Sequence, residues 1–174
     1  MLCFDEFGPI EVKPYHGENW RQRADRIPAN YTRDKGVRNL LAVLDLKTNK
    51  MYAHVRKRKT KTDVRTFLRY IRSLYPLNER LYIVMDNLST HNAQDQRLWY
   101  QQNNIVAVYT PTSASWLNRI ECHFTALKKF SLRNSNYKDH KEAGTAIRRY
   151  IAWRNNHTDN QEISRIENKI KLTI

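Results

Sequence analysis

Apolar positions along the chain fall into short runs and helical stripes that take turns. Residues 2–7 are short and mostly apolar, which predicts a buried strand with Asp5 inside it, ended by Gly8-Pro9. From there to Gly36 neither period is visible, and a stretch that long without a pattern is usually functional or disordered. Strand signals resume at 37–46 and, past the turn Lys47-Thr48-Asn49-Lys50, at 51–55, which together read as a hairpin. Val64, Phe67, Leu68, Ile71, Leu74 and Tyr75 recur at helical spacing over 62–75, and Pro76 closes that helix. Residues 81–85 are continuously apolar, as in a central strand covered on both faces, and Asp86 ends the run.

Residues 92–103 predict a helix, 105–109 another buried strand, and 111–115 a loop whose Ser115 is placed to cap the next helix. That helix, 116–133, sets Leu117, Ile120, Phe124 and Leu127 in a core stripe, with Asn118, Glu121, Thr125 and Lys128 on an adjoining face. A last helix over 139–155 buries Ala143, Ile147, Tyr150 and Ile151. Three early strands followed by two that alternate with helices predict an α/β domain with a mixed five-stranded sheet flanked by helices.

Charge narrows the choice of partner. The 174 residues carry a formal charge of +14, so the domain attracts polyanions such as DNA. No apolar run reaches membrane-spanning length, and the opening residues lack the basic and apolar regions of a secretory signal. A cytoplasmic protein without a membrane partner is the expectation. Cys3 and Cys122 are far apart, so both read as reduced thiols; with His123 they lack the spacing and the fourth ligand of a zinc site. Ser89, His91 and Asp86 crowd one short loop without a nucleophile elbow, which sets aside a serine hydrolase.

The acids carry the chemistry. Asp86 closes a buried strand, where ligands of open α/β sheets gather. If the first strand runs parallel beside it, Asp5 arrives at the same edge, and Glu121 can reach it from a helix packed across that end. Glu6 competes with Asp5, but successive strand residues point to opposite faces, so only one of them faces the site. Three carboxylates without a local cationic partner repel one another unless cations lie between them. Mg²⁺ is the natural choice, because a few carboxylates, water and substrate phosphate satisfy it. Two such ions, about 3.5 to 4 Å apart, suit an in-line phosphoryl displacement.

Three segments carry a family resemblance: Phe4-Asp5-Glu6-Phe7-Gly8, Val84-Met85-Asp86-Asn87-Leu88-Ser89-Thr90-His91, and the run from Thr110 through Trp116-Leu117-Asn118-Arg119-Ile120 to Glu121. Together, with 34 residues between Asp86 and Glu121, they resemble the catalytic motifs of DDE transposases of the mariner and bacterial IS-six-thirty superfamily. The resemblance implies a ribonuclease H-like fold, cleavage of DNA at transposon ends, and joining of the 3′ end to a target, usually a TA dinucleotide. It implies Asp5 and Asp86 sharing one Mg²⁺ or Mn²⁺, with Glu121 completing the site of a second.

It also implies a clamp-like insertion at about 8–36 that touches a partner protomer and DNA, which Trp20, Arg21 and Arg23 suit, and a homodimer on DNA in the bacterial nucleoid. Asn87, His91 and Asn118 belong to the motifs as supporting residues, His91 either orienting Asp86, touching DNA, or merely packing. Met1 stands only four residues before Asp5, so the family's N-terminal helix-turn-helix module is expected to be absent from this single catalytic domain, residues 1–174.

Basic positions supply candidate phosphate contacts. Lys128 returns to the face of Glu121 two helical turns on. Arg56, Lys57, Arg58 and Lys59 form a run leaving the hairpin, and Arg65, Arg69 and Arg72 are expected to extend it along the next helix. Two rival functions stand beside the transposase: a related nuclease or integrase on the same fold, and a non-catalytic DNA-binding or dimerisation protein that keeps only the basic surface.

Overall fold

The computed structural model describes residues 1–13, 35–88, 91, 93–112 and 114–158. Five strands, β1 (Leu2–Glu11), β2 (Val37–Asp45), β3 (Lys50–Arg56), β4 (Leu81–Met85) and β5 (Ile105–Tyr109), form one mixed sheet in the order β3-β2-β1-β4-β5. The β1–β2 and β2–β3 pairs are antiparallel, while β1–β4 and β4–β5 are parallel. Among the described residues four α-helices, α1 (Lys61–Ser73), α2 (Gln94–Gln102), α3 (Glu121–Leu127) and α4 (His140–Asn156), pack on the two faces. Among the described residues no helix is long and apolar enough to cross a membrane.

The period-2 alternation of β1 decides which side chain goes where. Leu2 and Phe4 join Leu41, Val43, Ile83 and Met85 under Val64, Phe67, Leu68 and Ile71 of α1 and Trp99 and Tyr100 of α2. Cys3 joins Leu40, Ala42 and Leu44 on the opposite face, against Ile120, Phe124 and Leu127 around α3 and Ile147, Tyr150 and Ile151 of α4. Asp5 therefore follows Cys3 toward α3, and Glu6 follows Phe4 toward α1 and α2.

Pairing of β1 with β4 extends only over Leu2↔Ile83 and Cys3↔Val84. Two residues further along each strand the same register sets Asp5 level with Asp86, where the strands no longer bond. The expected parallel neighbourhood of these strands is present, with Asp86 just past the carboxyl end of β4 and Asp5 within β1, just beyond the stretch paired with β4.

Three expectations need correction. First, Gly8-Pro9 does not end β1. The strand absorbs an irregularity between Phe7 and Ile10 and runs on, pairing Ile10 with Arg38 and Glu11 with Val37. Gly8 permits this, because a Cβ there would come within 2.8 Å of Asn39 Oδ1. The expected insertion at 8–36 thus begins after the strand, and residues 14–34, with Trp20, Arg21 and Arg23, lie outside the described residues.

Second, residues 116–133 are not one helix. Ser115 opens a 3₁₀ turn, Ser115–Leu117, instead of capping an α-helix; α3 starts only at Glu121, and a π turn, Lys128–Leu132, follows it. The break lets Asn118 turn inward and donate from Nδ2 to the Phe4 carbonyl at 2.7 Å, a main-chain oxygen that β4 has left unpaired.

Third, the arginines of α1 do not form a ridge. Arg65 donates to Asp95 at 2.7 Å and to Gln96 at 2.8 Å. Arg72 is buried and satisfies the carbonyls of Tyr75, Pro76, Glu79 and Asn103 at the end of α1. Arg69 alone of the three is exposed.

Candidate active site

Asp5 is 7% exposed and held from two sides. Its Oδ1 accepts from the Glu6 amide at 2.7 Å, and its Oδ2 accepts from Asn118 Nδ2 at 3.3 Å. Burial pushes its pKa up, the Glu6 amide pulls against that, and the charges of Glu121 and Asp86 push it further, to about 7. A hydrogen bond with the Glu121 carboxyl adds to the shift. Asp5, Asp86 and Glu121, distant in sequence, are therefore brought within each other's fields, and near neutral pH Asp5 keeps a proton for want of a better cation.

Asp86 stands just past β4, with its side chain 28% exposed. Its Oδ1 is closed to solvent and lies 2.6 Å from His91 Nδ1. That approach is a charge contact outside hydrogen-bond alignment; the same nitrogen lies 3.2 Å from the main-chain oxygen of Asp86. His91 is fully buried, edge-on to Phe4 at 5.2 Å. Burial opposes its charge, but the bonds to Asp86 and Glu6 outweigh it and raise the imidazole to about 9. His91 is thus a cation at neutral pH, and among the motif residues it faces Asp86.

Glu121 is half-buried in the first turn of α3, its amide bonded to the Asn118 carbonyl at 3.0 Å. Lys128 is exposed where the π turn opens, and Asn87 is exposed beside Asp86. Of the basic run, Arg56 is half-buried with Nη2 3.3 Å from His54 Nδ1, and Lys57 and Arg58 are exposed. Lys59 is anchored inward, its Nζ 3.1 Å from Glu6 Oε2. His123 faces Arg154, which donates to its Nδ1 at 3.2 Å; burial and that guanidinium lower it to about 3, so it stays neutral and away from the acids. Cys3 and Cys122 are free, buried thiols.

Among the described residues no group of three or more His, Cys, Asp and Glu side chains stands at ligating spacing for one ion. The donor set still fits a hard cation. Burial and then the charges of Glu121 and Asp86 raise Asp5 above its ordinary range, and the Asn118 Oδ1 beside it is buried without a hydrogen-bond partner. A divalent ion would replace the proton on Asp5 and draw the acids together.

The sequence profile of the DDE superfamily endonucleases matches residues 1–143. The chain belongs to that family. Its members generally use divalent metal ions. No curated protein sequence matches the chain.

Among solved structures, the Mos1 mariner paired-end complex with Mn superimposes with a TM-score of 0.68 at 14% identity, over 97% of this chain and 54% of that one. The Mos1 strand transfer complex gives 0.68 at 15%, over 97% and 53%. An intasome of simian T-cell lymphotropic virus gives 0.54 at 18%, over 90% and 48%. These likenesses establish the ribonuclease H-like fold of this DDE family member, and the chain spans about half the length of the Mos1 chains it matches.

Glu6 is the contributor that sequence reading missed. It was weighed only as a competitor of Asp5, although the alternation that sends it to the other face also delivers it to His91. An acid beside the first motif acid and a histidine five residues after the second were the available signals.

Proposed function

We propose that this chain is the catalytic domain of a transposase that cuts and joins DNA phosphodiesters at transposon ends. The observation that carries the reading is the convergence of Asp5, Asp86 and Glu121 at one sheet edge, where burial and then the charges of Glu121 and Asp86 raise Asp5, in a domain of charge +14. The paired-end and strand transfer assemblies of Mos1 support it.

Mg²⁺ or Mn²⁺, bound as a pair between Asp5 and Asp86 and at Glu121, would supply Lewis acidity toward the phosphate and toward an attacking water or 3′-hydroxyl. The chain's own residues prepare the place. Asp5 gives up its proton to become a ligand, and Asn118 fixes the plane of its carboxylate through Oδ2. His91 occupies Asp86 Oδ1, so the exposure of Asp86 falls on its other atoms and Oδ2 is the oxygen left for a cation. Lys128, Arg56, Lys57 and Arg58 would hold phosphates flanking the site, Lys59 doing so only at the cost of its bond to Glu6, with Arg21 and Arg23 contributing from the segment between β1 and β2. Pairing of two transposon ends calls for a homodimer on DNA, working in the bacterial cytoplasm.

The test uses blunt and pre-nicked transposon-end duplexes with Mg²⁺ or Mn²⁺, comparing the native chain with Asp86→Asn. Cleavage and joining should fall by a factor on the order of 10³ in the variant, because an amide supplies no anionic ligand. Equal products from both proteins would remove the enzymatic reading.

A further inference from the structure

Glu6 and Asp5 are neighbours in sequence that leave β1 on opposite faces, yet both lead to the same site. Glu6 is a carboxylate only 6% exposed, set beside the apolar layer under α1 and α2. An acid so placed must be paired or it opposes folding, and it is paired at both oxygens: Oε2 lies 3.1 Å from Lys59 Nζ, and Oε1 lies 3.3 Å from His91 Nε2. The His91 ring has no freedom left to turn. Its edge meets Phe4, its main-chain amide bonds to the Leu88 carbonyl at 2.9 Å, and its own carbonyl accepts from the Tyr109 hydroxyl at 3.1 Å and the Tyr100 hydroxyl at 3.4 Å. With Nε2 tied to Glu6, Nδ1 is turned to Asp86, 3.2 Å from its main-chain oxygen and 2.6 Å from its Oδ1.

We infer that Glu6, acting through His91, is a positioning residue for the metal-binding carboxylate of Asp86, and that the Asp5-Glu6 pair serves the site twice: Asp5 as a direct ligand, Glu6 as the support of the second ligand from behind the sheet. The inference rests on the transposase reading, since it takes Asp86 to hold a cation. Lys59 makes the arrangement electrically balanced, with Lys59 and His91 alternating with Glu6 and Asp86, so the buried chain needs no counter-ion of its own. Charge balance alone would be met by any ion pair. The contact of the imidazole with Asp86, at its main-chain oxygen and beside its Oδ1, is what gives the chain a task in the site.

The experiment measures Mn²⁺ binding by the electron paramagnetic resonance signal of free Mn²⁺, without DNA or turnover, for the native chain, Glu6→Met and Glu6→Gln. Met fills the volume but offers no acceptor to Nε2, whereas Gln keeps a carbonyl oxygen there. Circular dichroism confirms the fold of each, and Glu6→Ala replaces Glu6→Met should the latter not fold.

Mn²⁺ affinity should fall about tenfold in Glu6→Met, the usual cost of losing a support behind a metal ligand, and recover in Glu6→Gln. A folded Glu6→Met that binds Mn²⁺ like the native chain overturns the positioning role and leaves the transposase reading intact. A native chain that binds no Mn²⁺ overturns both. Loss of metal-dependent cleavage in the native chain with Mn²⁺ binding preserved, and weakened in Glu6→Met, sinks the transposase reading alone.

Discussion

Asp5→Asn is expected to abolish DNA cleavage and, in cation-free buffer at pH 8, to make the chain more stable than the native one by on the order of 3 kcal/mol, at about 1.4 kcal/mol per pKa unit. The folded-state value of about 7 lies above the ordinary 3.8. Between those two values the folded chain holds a proton that the unfolded chain has released, so stability falls as pH rises from about 4 to 7 and the whole penalty stands above 7. Asn removes the charge and keeps the shorter of the two bonds. Its side-chain oxygen can accept from the Glu6 amide as Asp5 Oδ1 does at 2.7 Å, and its amino group can donate to the Glu121 carboxyl in exchange for the 3.3 Å contact with Asn118 Nδ2, which keeps its shorter bond to the Phe4 carbonyl. Urea unfolding across pH 4 to 8 reads the effect. The native and variant curves should meet at the acid end and separate toward pH 8. Curves that stay parallel would mean that no such repulsion exists at Asp5.

A second large effect is expected from Asn118→Asp, a change of one group that reverses the polarity of a buried contact. Asn118 is 1% exposed and uses its Nδ2 as a donor twice, to the Phe4 carbonyl and to Asp5 Oδ2. A carboxylate in its place turns both contacts into acceptor against acceptor and adds a fourth acid to a cluster that already forces a proton onto Asp5. At pH 8 the loss should reach about 3–5 kcal/mol, the scale for a buried charge without its partner. Near pH 5 a protonated carboxyl can donate again, so much of the loss should return. Asn118→Ala, which deletes the donor without adding charge, should cost only about 1–3 kcal/mol and show little dependence on pH. If Asn118→Asp unfolds at the same urea concentration as the native chain at pH 8, the orientation of Asn118 described above is wrong.

How much of this was legible in the sequence depends on the range of the interaction involved. β4 and β5 were readable as strands from their short apolar runs, and they begin and end where the runs 81–85 and 105–109 do; the expected cover on both faces is not there, because Tyr82, Val106 and Val108 are exposed and β5 is an edge strand. The hairpin was readable from its turn. The break before α3 was not, because Leu117, Ile120, Phe124 and Leu127 keep helical spacing across it, and what interrupts the helix is a bond from Asn118 to a strand more than a hundred residues earlier.

The arginines of α1 misled for a related reason. Charge along a helix reads as a solvated ridge, yet Arg72 carries its guanidinium inward to carbonyls that the end of the helix leaves unpaired. Of the site, Asp86 and Glu121 were visible from their motifs and Asp5 from strand alternation. The same alternation placed Glu6 on the far face, but only the fold could reveal that His91 waits there.

Anomalous diffraction from crystals of the native chain soaked in Mn²⁺ at pH 8 tests the pocket of three acids most directly. A peak bonded to carboxylate oxygens of both Asp5 and Asp86, at metal–oxygen distances of about 2.0–2.2 Å, with Glu121 facing it or holding a second peak, is the predicted result. Well-ordered Asp5, Asp86 and Glu121 side chains with no anomalous density among them, or Mn²⁺ held only elsewhere on the surface, would contradict it.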